Sequence, residues 1–300
     1  MKGNWQRRRN NFCSHDAHSF RKIEISINFI LRPPEYSYIS NMPEPADPSE
    51  IMVKTFTLTV ETPDGALPPV RVQVPDIPMG LADIVPPIYE LCNGATSLAT
   101  RKSESEGKTV TCGPGCGVCC RQLVPLSIPE AIFLAEHVNG LLPDRSEAVK
   151  KRFADALSII RRHDVLDKIR STDKHEDDLG TALAYFRLGI PCPFLSDESC
   201  GIHPVRPCAC REFNVTSPPL CCADPLQKKI ERVTIHRKMT AALAKAASRL
   251  IGTKPTLIPL PLLFDWYEHH AEYAALRWKG IGLFDMMLTF ALGDKCVGAA

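Results

Sequence analysis

Alternating apolar and polar positions come early in this chain, and helical periodicity takes over along most of its remaining length. Val53 to Val60 and Val70 to Val74 are rich in β-branched residues and flank the turn sequence Thr62-Pro-Asp-Gly65, which predicts two strands of a hairpin or meander. Ile88 to Leu98, directly after Pro86-Pro87, reads as a helix. Ser127 and Glu130 form an S-x-x-E capping box, behind which Ile128, Ile132, Ala135 and Val138 recur at helical spacing up to Gly140. A further helix is predicted from about Asp144, with Val149, Phe153, Ala156 and Ile160 on one face, reaching about Ile169 before the polar run Ser171 to Asp178. Asp224-Pro225 has the form of an N-cap followed by proline at the first helical position. It predicts a long helix with Leu226, Ile230, Val233, Leu243 and Leu250 inward, stopped by Gly252. Two last helices are predicted over about Leu262 to Lys279 and Ile281 to Leu292, carrying Trp266, Tyr267, Tyr273 and Trp278. The fold class expected is therefore mainly α with a small N-terminal β element.

Residues 1 to about 50 show no period and close on the proline-rich stretch Pro43 to Pro48. They are expected to be a disordered tail, or sequence ahead of a start at Met42 or Met52. The basic opening is not followed by an apolar stretch of signal-peptide length, so an export signal is not expected.

Composition changes the picture at one point. Apolar residues at 44% and charged residues at 23% are enough for a real core. A net charge of +2 offers no basic field of the kind nonspecific nucleic-acid binding needs, so no nucleic-acid partner is expected, and no apolar run is long enough to span a membrane. What stands out is thirteen cysteines, ten of them in two short stretches. A small secreted chain would use such residues for disulfides, but a long, largely helical chain without an export signal points to metal ligation in the cytoplasm.

The first stretch is Cys112-Gly-Pro-Gly-Cys116-Gly-Val-Cys119-Cys120, whose glycines allow the tight turning needed for several sulfurs to face one point. The second runs from Cys192-Pro-Phe-Leu through Cys200-Gly-Ile-His-Pro-Val-Arg206-Pro-Cys208-Ala-Cys210-Arg211 to Cys221-Cys222, where Pro193, Pro204 and Pro207 forbid a continuous helix. An all-cysteine zinc site or iron–sulfur cluster needs four thiolates at one centre, which the first loop alone is not expected to supply, so the two stretches are expected to meet. Adjacent Cys119 and Cys120 point differently, so one of them serves a second metal or packs inward.

Together, Cys116-x-x-Cys119-Cys120, Cys192-Pro-Phe-Leu and Cys200-x-Ile-His-x-x-Arg206-Pro-x-x-Cys210-Arg211 resemble the CxxCxxCC cysteine-cluster family, also called YkgJ-like, a zinc- or iron-chelating domain. The resemblance covers about residues 108 to 225. It implies ligand roles for Cys112, Cys116, Cys119, Cys120, Cys192, Cys200, Cys210 and Cys222, and favours an iron–sulfur cluster over zinc. This sequence departs from the family pattern in the three residues between Cys112 and Cys116, in His203 at a usual tyrosine, and in the additional Cys208 and Cys221. The same domain is similar to the core of flagellin lysine N-methylases, which implies a second expectation, an S-adenosylmethionine-dependent enzyme acting on a protein substrate. A third is a zinc-stabilised module that binds a protein partner.

Four regions are expected: residues 1–50; a β hairpin plus helix over 51–107; a cysteine-cluster metal-binding domain over 108–225, with irregular Cys loops stapled by metal between helices; and C-terminal helices over 226–300 packing on it. Arg206 and Arg211 are expected to offset thiolate charge. His203 is expected to be a hydrogen-bonding loop residue, the basic series Lys228 to Lys238 and His269-His270 solvated helix faces, and Cys13, Cys92 and Cys296 ordinary thiols.

Overall fold

The structure, a computed structural model, describes residues 9–12, 22–31, 52–62, 65–66, 70–170, 178–235 and 238–292. Its chain is mainly α-helical with a small sheet near the N-terminus. That sheet runs β1 (Arg9–Phe12), β2 (Lys22–Leu31), β3 (Met52–Thr62) and β4 (Gly65–Ala66), with β5 (Val70–Pro75) also antiparallel to β3 in register Val53 to Pro75 through Leu58 to Val70. The predicted pair is β3 and β5. No element is expected before residue 50, yet β2 pairs with β3 over ten residues. Its alternation of Ile23, Ile25, Ile27 and Phe29 is a period-2 signal that the surrounding polar sequence hides. The rest of residues 1–50, and with it the expected tail, Cys13 and the alternative start Met42, lies outside the described residues.

After the short strand β6 (Pro78–Met79), α1 (Val85–Ser105) carries Pro86 in its first turn, where a missing N–H costs nothing, and buries Ile88, Leu91 and Cys92. A short strand β7 (Pro125–Ser127) leads into α2 (Ile128–Asn139). Its capping box forms as predicted, with the Ser127 backbone N–H donating to Glu130 Oε2 at 2.9 Å and the Ser127 hydroxyl at 2.7 Å. In α3 (Pro143–Arg162), Val149, Phe153, Ala156 and Ile160 are the inward face. The predicted continuation to Ile169 is corrected: α3 stops at Arg162, Asp164 turns left-handed (φ 53°), and a separate α4 (Leu166–Arg170) comes after it. Aspartate tolerates that conformation better than most residues, which lets the chain turn there. The polar run ending that helix lies mostly outside the described residues, and α5 (Asp178–Phe186) begins at its far end.

The second cysteine stretch contains the hairpin β8 (Leu195–Ser196) and β9 (Ser199–Cys200) and the one-turn helices α6 (Cys208–Arg211) and α7 (Pro219–Cys222). The long helix predicted to start at Asp224-Pro225 is corrected. Asp224 begins only one turn, its carbonyl accepting from Lys228 N–H at 2.9 Å. The chain next runs extended, Thr216 N–H donating to Glu231 O and Val233 N–H to Asn214 O at 2.9 and 2.8 Å. The β-branched run Val233-Thr234-Ile235 prefers this pairing to a helix, and Leu226, expected inward, is 48% exposed. The basic residues from Lys228 are therefore not a helix face; Arg232 lies over the Phe213 ring at 4.7 Å.

The helix proper is α8 (Met239–Ile251), ended by Gly252 at φ 80° as predicted. After β10 (Leu257–Pro259), antiparallel to β7, the first of the two tail helices is also corrected. It divides at His270 into α9 (Leu263–His269) and α10 (Ala271–Ala275), and Trp278 lies in β11 (Trp278–Lys279), paired with β6. The final α11 (Gly280–Leu292) seats Phe284 against Phe56 of β3, ring centroids 4.8 Å apart. His269 and His270 each hold a backbone carbonyl through Nδ1, and His270 stacks on Trp266.

One hydrophobic cluster joins Phe56 and Val74 of the sheet, Ile88 and Leu91 of α1, Ile132 and Leu134 of α2, Leu243 of α8 and Phe284 of α11. Phe194 and Ile202 of the second cysteine stretch belong to it too. Phe153 stands between Phe194 and Phe264, at 5.2 and 5.0 Å, so the same core that holds the helices also holds the cysteine loops.

Candidate metal centre

Cys112 to Cys120 form a loop rather than an element because glycine and proline leave too few helix-forming residues to propagate a turn. Thr111 fixes its entry, donating from its N–H to Val215 O at 2.9 Å and from its hydroxyl to Ser217 O at 2.7 Å. Gly115 takes φ +79°, and a single 3₁₀ turn over Val118–Arg121 carries Cys119 and Cys120.

Gly117 is needed for closeness rather than for its backbone angle. A Cβ there would lie 2.6 Å from Glu198 Oε2, 2.9 Å from Leu195 Cδ1 and 3.0 Å from Glu198 O. Gly117→Ala is therefore expected to push the two cysteine loops apart, destabilising the fold by about 2 kcal/mol and lowering metal retention, as denaturant melts and metal analysis would show.

Loop meets loop through the backbone and through charge. Cys192 N–H donates to Cys120 O at 2.7 Å. Arg121 holds both carboxylate oxygens of Glu198, at 2.8 and 2.6 Å, and also Gly117 O at 2.7 Å. Glu198 and its neighbour Asp197 sit at positive φ, 56° and 48°, at the tip of the β8–β9 hairpin. Val215 N–H donates to Cys112 Sγ at 3.3 Å, bringing the third part of the second stretch onto the first. Arg152 of α3 braces the loop from outside, its Nε donating to Pro193 O at 2.6 Å.

These contacts gather the expected ligands. Cys112, Cys116, Cys119, Cys120, Cys192, Cys200 and Cys210 line one cavity of about 500 Å³, together with Phe194, Ile202, His203, Arg206, Phe213 and Leu260. Cys222 lines a small gap of about 10 Å³ next to it, shared with Cys112, Cys116 and Cys119. Cys221 lines neither. Cys208 is buried in the core instead, where Cys92 Sγ lies 3.9 Å from Glu212 Oε1 and 4.0 Å from Cys208 O. Eleven cysteines among the described residues are free thiols. Among those residues no three His, Cys, Asp or Glu side chains converge so as to hold one metal ion between them.

The two arginines differ. Arg211, expected to offset thiolate charge, is spent on structure. Its Nε donates to Arg206 O (2.7 Å), its terminal nitrogens to Pro204 O and Asn93 Oδ1 (both 2.6 Å), and its guanidinium lies 4.2 Å over the Tyr89 ring. Arg206 is the cation on the cavity wall, and it favours the thiolate forms of Cys112, Cys119 and Cys210. It also holds the nearby His203 ring neutral, pushing its pKa down.

Burial raises the thiol pKa of Cys112 and Cys210, that of Cys192 to about 12 and that of Cys222 to about 11, and neighbouring sulfurs add to each shift. Cys119 goes the other way, to about 7, because the Cys120 thiol hydrogen-bonds it; Cys120 rises in consequence. A set of crowded thiols that resist ionisation becomes a ligand set once a cation supplies the opposing charge. The donors are soft sulfurs, a fit to zinc or to iron–sulfur chemistry. Because a proton competes with metal at each sulfur and most of these thiols are held protonated by burial, uptake is expected to weaken steadily as pH falls, Cys119 being protonated last, below about 7. Competition against a chelator at pH 6 and pH 8 should show tighter binding at pH 8.

Sequence reasoning does not find Glu130's second role. Besides capping α2, its Oε1 accepts the Cys208 N–H at 2.8 Å. The capping box gives the first role; nothing along the chain signals the second, which spans 78 positions. The Arg121–Glu198 latch and the Arg152 brace are likewise long-range.

The region that carries both cysteine stretches is also the region that a family model matches. A family model, CxxCxxCC, described as "Putative zinc- or iron-chelating domain", matches residues 111–235, less than half of the chain. The family match supports metal chelation by this region. No curated protein and no solved structure matches the chain. Among the described residues no helix is long and apolar enough to cross a membrane.

Proposed function

We propose that the chain is a cytoplasmic metal-binding protein that holds a polynuclear thiolate centre, an iron–sulfur cluster in preference to zinc, with residues 108–225 as the metal-binding unit and the later helices packed on it. The observation that carries this reading is that seven cysteines from two stretches about seventy residues apart line a single cavity, with an eighth beside it. All-sulfur donors suit zinc and iron–sulfur clusters alike, and the preference for a cluster follows from the family resemblance. Cys112, Cys116, Cys119, Cys120, Cys192, Cys200, Cys210 and Cys222 are the residues that would hold it. Such a cluster supplies electron transfer or Lewis acidity; the chain supplies the ligands, the apolar walls of Phe194, Phe213 and Leu260, and the Arg206 charge. A cavity of free thiols suits a reducing compartment. The methyl-transfer reading rests on the resemblance alone.

The test is metal and acid-labile sulfide analysis, with an absorption spectrum, on protein purified without oxygen. Iron with sulfide and a broad visible band is the expected result. Colourless protein containing zinc alone would replace the cluster by a structural site and favour the partner-binding module.

A further inference from the structure

The exposed residues among those that line the cysteine cavity mark its mouth. Gly113, Pro114 and Gly115 come from the first stretch, and Glu198, Ser199 and His203 from the second, Glu198 and Ser199 being at the tip of the β8–β9 hairpin. Cys200, one of the expected ligands, pairs with Leu195 at the base of that tip. A tip that swung away would therefore widen the mouth and take one sulfur out of the wall in the same movement.

The chain is held firmly on both sides of the tip and lightly at it. Phe194 and Ile202 are buried in the core cluster, Gly201 N–H donates to Phe194 O at 2.8 Å, and Arg152 braces Pro193. Ser196 to Ser199 are exposed. Among the described residues, the hydrogen bonds joining them to the first stretch all come from Arg121, which grips the Glu198 carboxylate while also donating to Gly117 O. Both partners of this ion pair are partly exposed, and such a pair biases an equilibrium by only about fivefold or less. That is too little to matter for overall stability, but it is enough to set how often the tip is away from the loop. Asp197 and Glu198 also sit in the left-handed region, which glutamate does not favour, so release of the tip relaxes a strained turn.

We propose that the β8–β9 tip is a gate on the cysteine cavity, held closed by the Arg121–Glu198 pair, and that metal enters and leaves through the open form. What passes the gate rests on the metal-centre reading; the opening itself is a property of the chain and does not need the metal to be a cluster or even to be present.

Two rates on the full chain as purified test it, compared at matched metal content. One is transfer of the bound metal to an excess of chelator. The other is alkylation of Cys192 and Cys210 by iodoacetamide, a small uncharged reagent, followed by peptide mass spectrometry, because modification of a transiently opened site tracks its open population. Glu198→Gln and Arg121→Gln are each expected to speed both rates about threefold. Raising salt from about 0.05 M to about 1 M should speed the unmutated protein to a similar degree and the variants hardly at all, since only the intact pair is there to be screened. That comparison needs no variant for its first half. Reversing the pair, with Arg121→Glu and Glu198→Arg together, should bring both rates back towards those of the unmutated protein, a rescue that general loosening of the fold does not give. The gate is overturned if the single variants alkylate at the unmutated rate, if salt speeds them as much as the unmutated protein, or if the reversed pair is no slower than they are. Metal transfer that ignores the pair while alkylation responds would overturn the route for metal. Protein that takes up no metal and still shows pair-dependent alkylation would refute the metal-centre reading and leave the gate standing.

Discussion

Cys192→Ser, Cys116→Ser and Cys210→Ser are each expected to strip most of the bound metal from the full chain, whereas Cys221→Ser leaves it in place. The first three line the cavity and come from both loops; Cys221 lines neither cavity, although it is adjacent in sequence to Cys222. A serine hydroxyl is a poor ligand for soft metals. Even the loss of an outer-shell partner commonly costs about 10–100-fold in affinity, so the loss of a ligand should exceed that. The effect should reach the fold as well. Metal bound between two loops contributes its binding free energy to folding, about 10 kcal/mol in small zinc-dependent domains, and removal by chelator is expected to lower the melting temperature by about 10 °C or more. Metal analysis paired with thermal melts on the four variants checks both halves. Unchanged metal content in Cys192→Ser would separate the two loops and sink the shared centre.

Glu130→Ala is the second large expected effect, at about 3–5 kcal/mol of stability. The side chain is fully buried and accepts from the Ser127 N–H, the Ser127 hydroxyl and the Cys208 N–H. Alanine leaves all three donors without an acceptor and opens a cavity beneath the second cysteine loop. Glu130→Gln keeps one accepting oxygen but sets its NH2 against the other donor, and should cost about 1–3 kcal/mol. Burial raises the Glu130 pKa above its ordinary 4.5. The stability that protonated Glu130 contributes is complete below about 4.5 and is lost as pH rises through the raised value, so the cost of Glu130→Gln should shrink as pH rises. Denaturant melts of the three proteins across pH 4 to 8 would show this.

Glu130 also illustrates how far local pattern reaches. The Ser127–Glu130 box, the apolar stripe of α3, the Gly252 stop and the β3–β5 pair are all legible along the chain because each depends on residues within a short stretch. The Asp224-Pro225 start misleads for the same reason. It is a sound local signal, but pairing of residues 231–233 with 214–216 outcompetes it, and that pairing is visible only once the chain is folded. Likewise Trp278 lies in a strand because Met79 is there to receive it, not because its neighbours demand one.

Donor chemistry can be read along the chain without any fold: which cysteines cluster, that glycine and proline keep them off long helices, and that a family of chelating domains has this arrangement. Donor type is a matter of residue type and spacing, both linear properties. Folding settles the rest: which sulfurs share a cavity, that Cys208 and Cys221 stand outside it, and that Arg206 lines it while Arg211 does not. Those outcomes rest on contacts between residues tens to more than a hundred positions apart, such as Cys192 with Cys120, Glu130 with Cys208 and Arg211 with Asn93, and no local pattern encodes contacts at that distance.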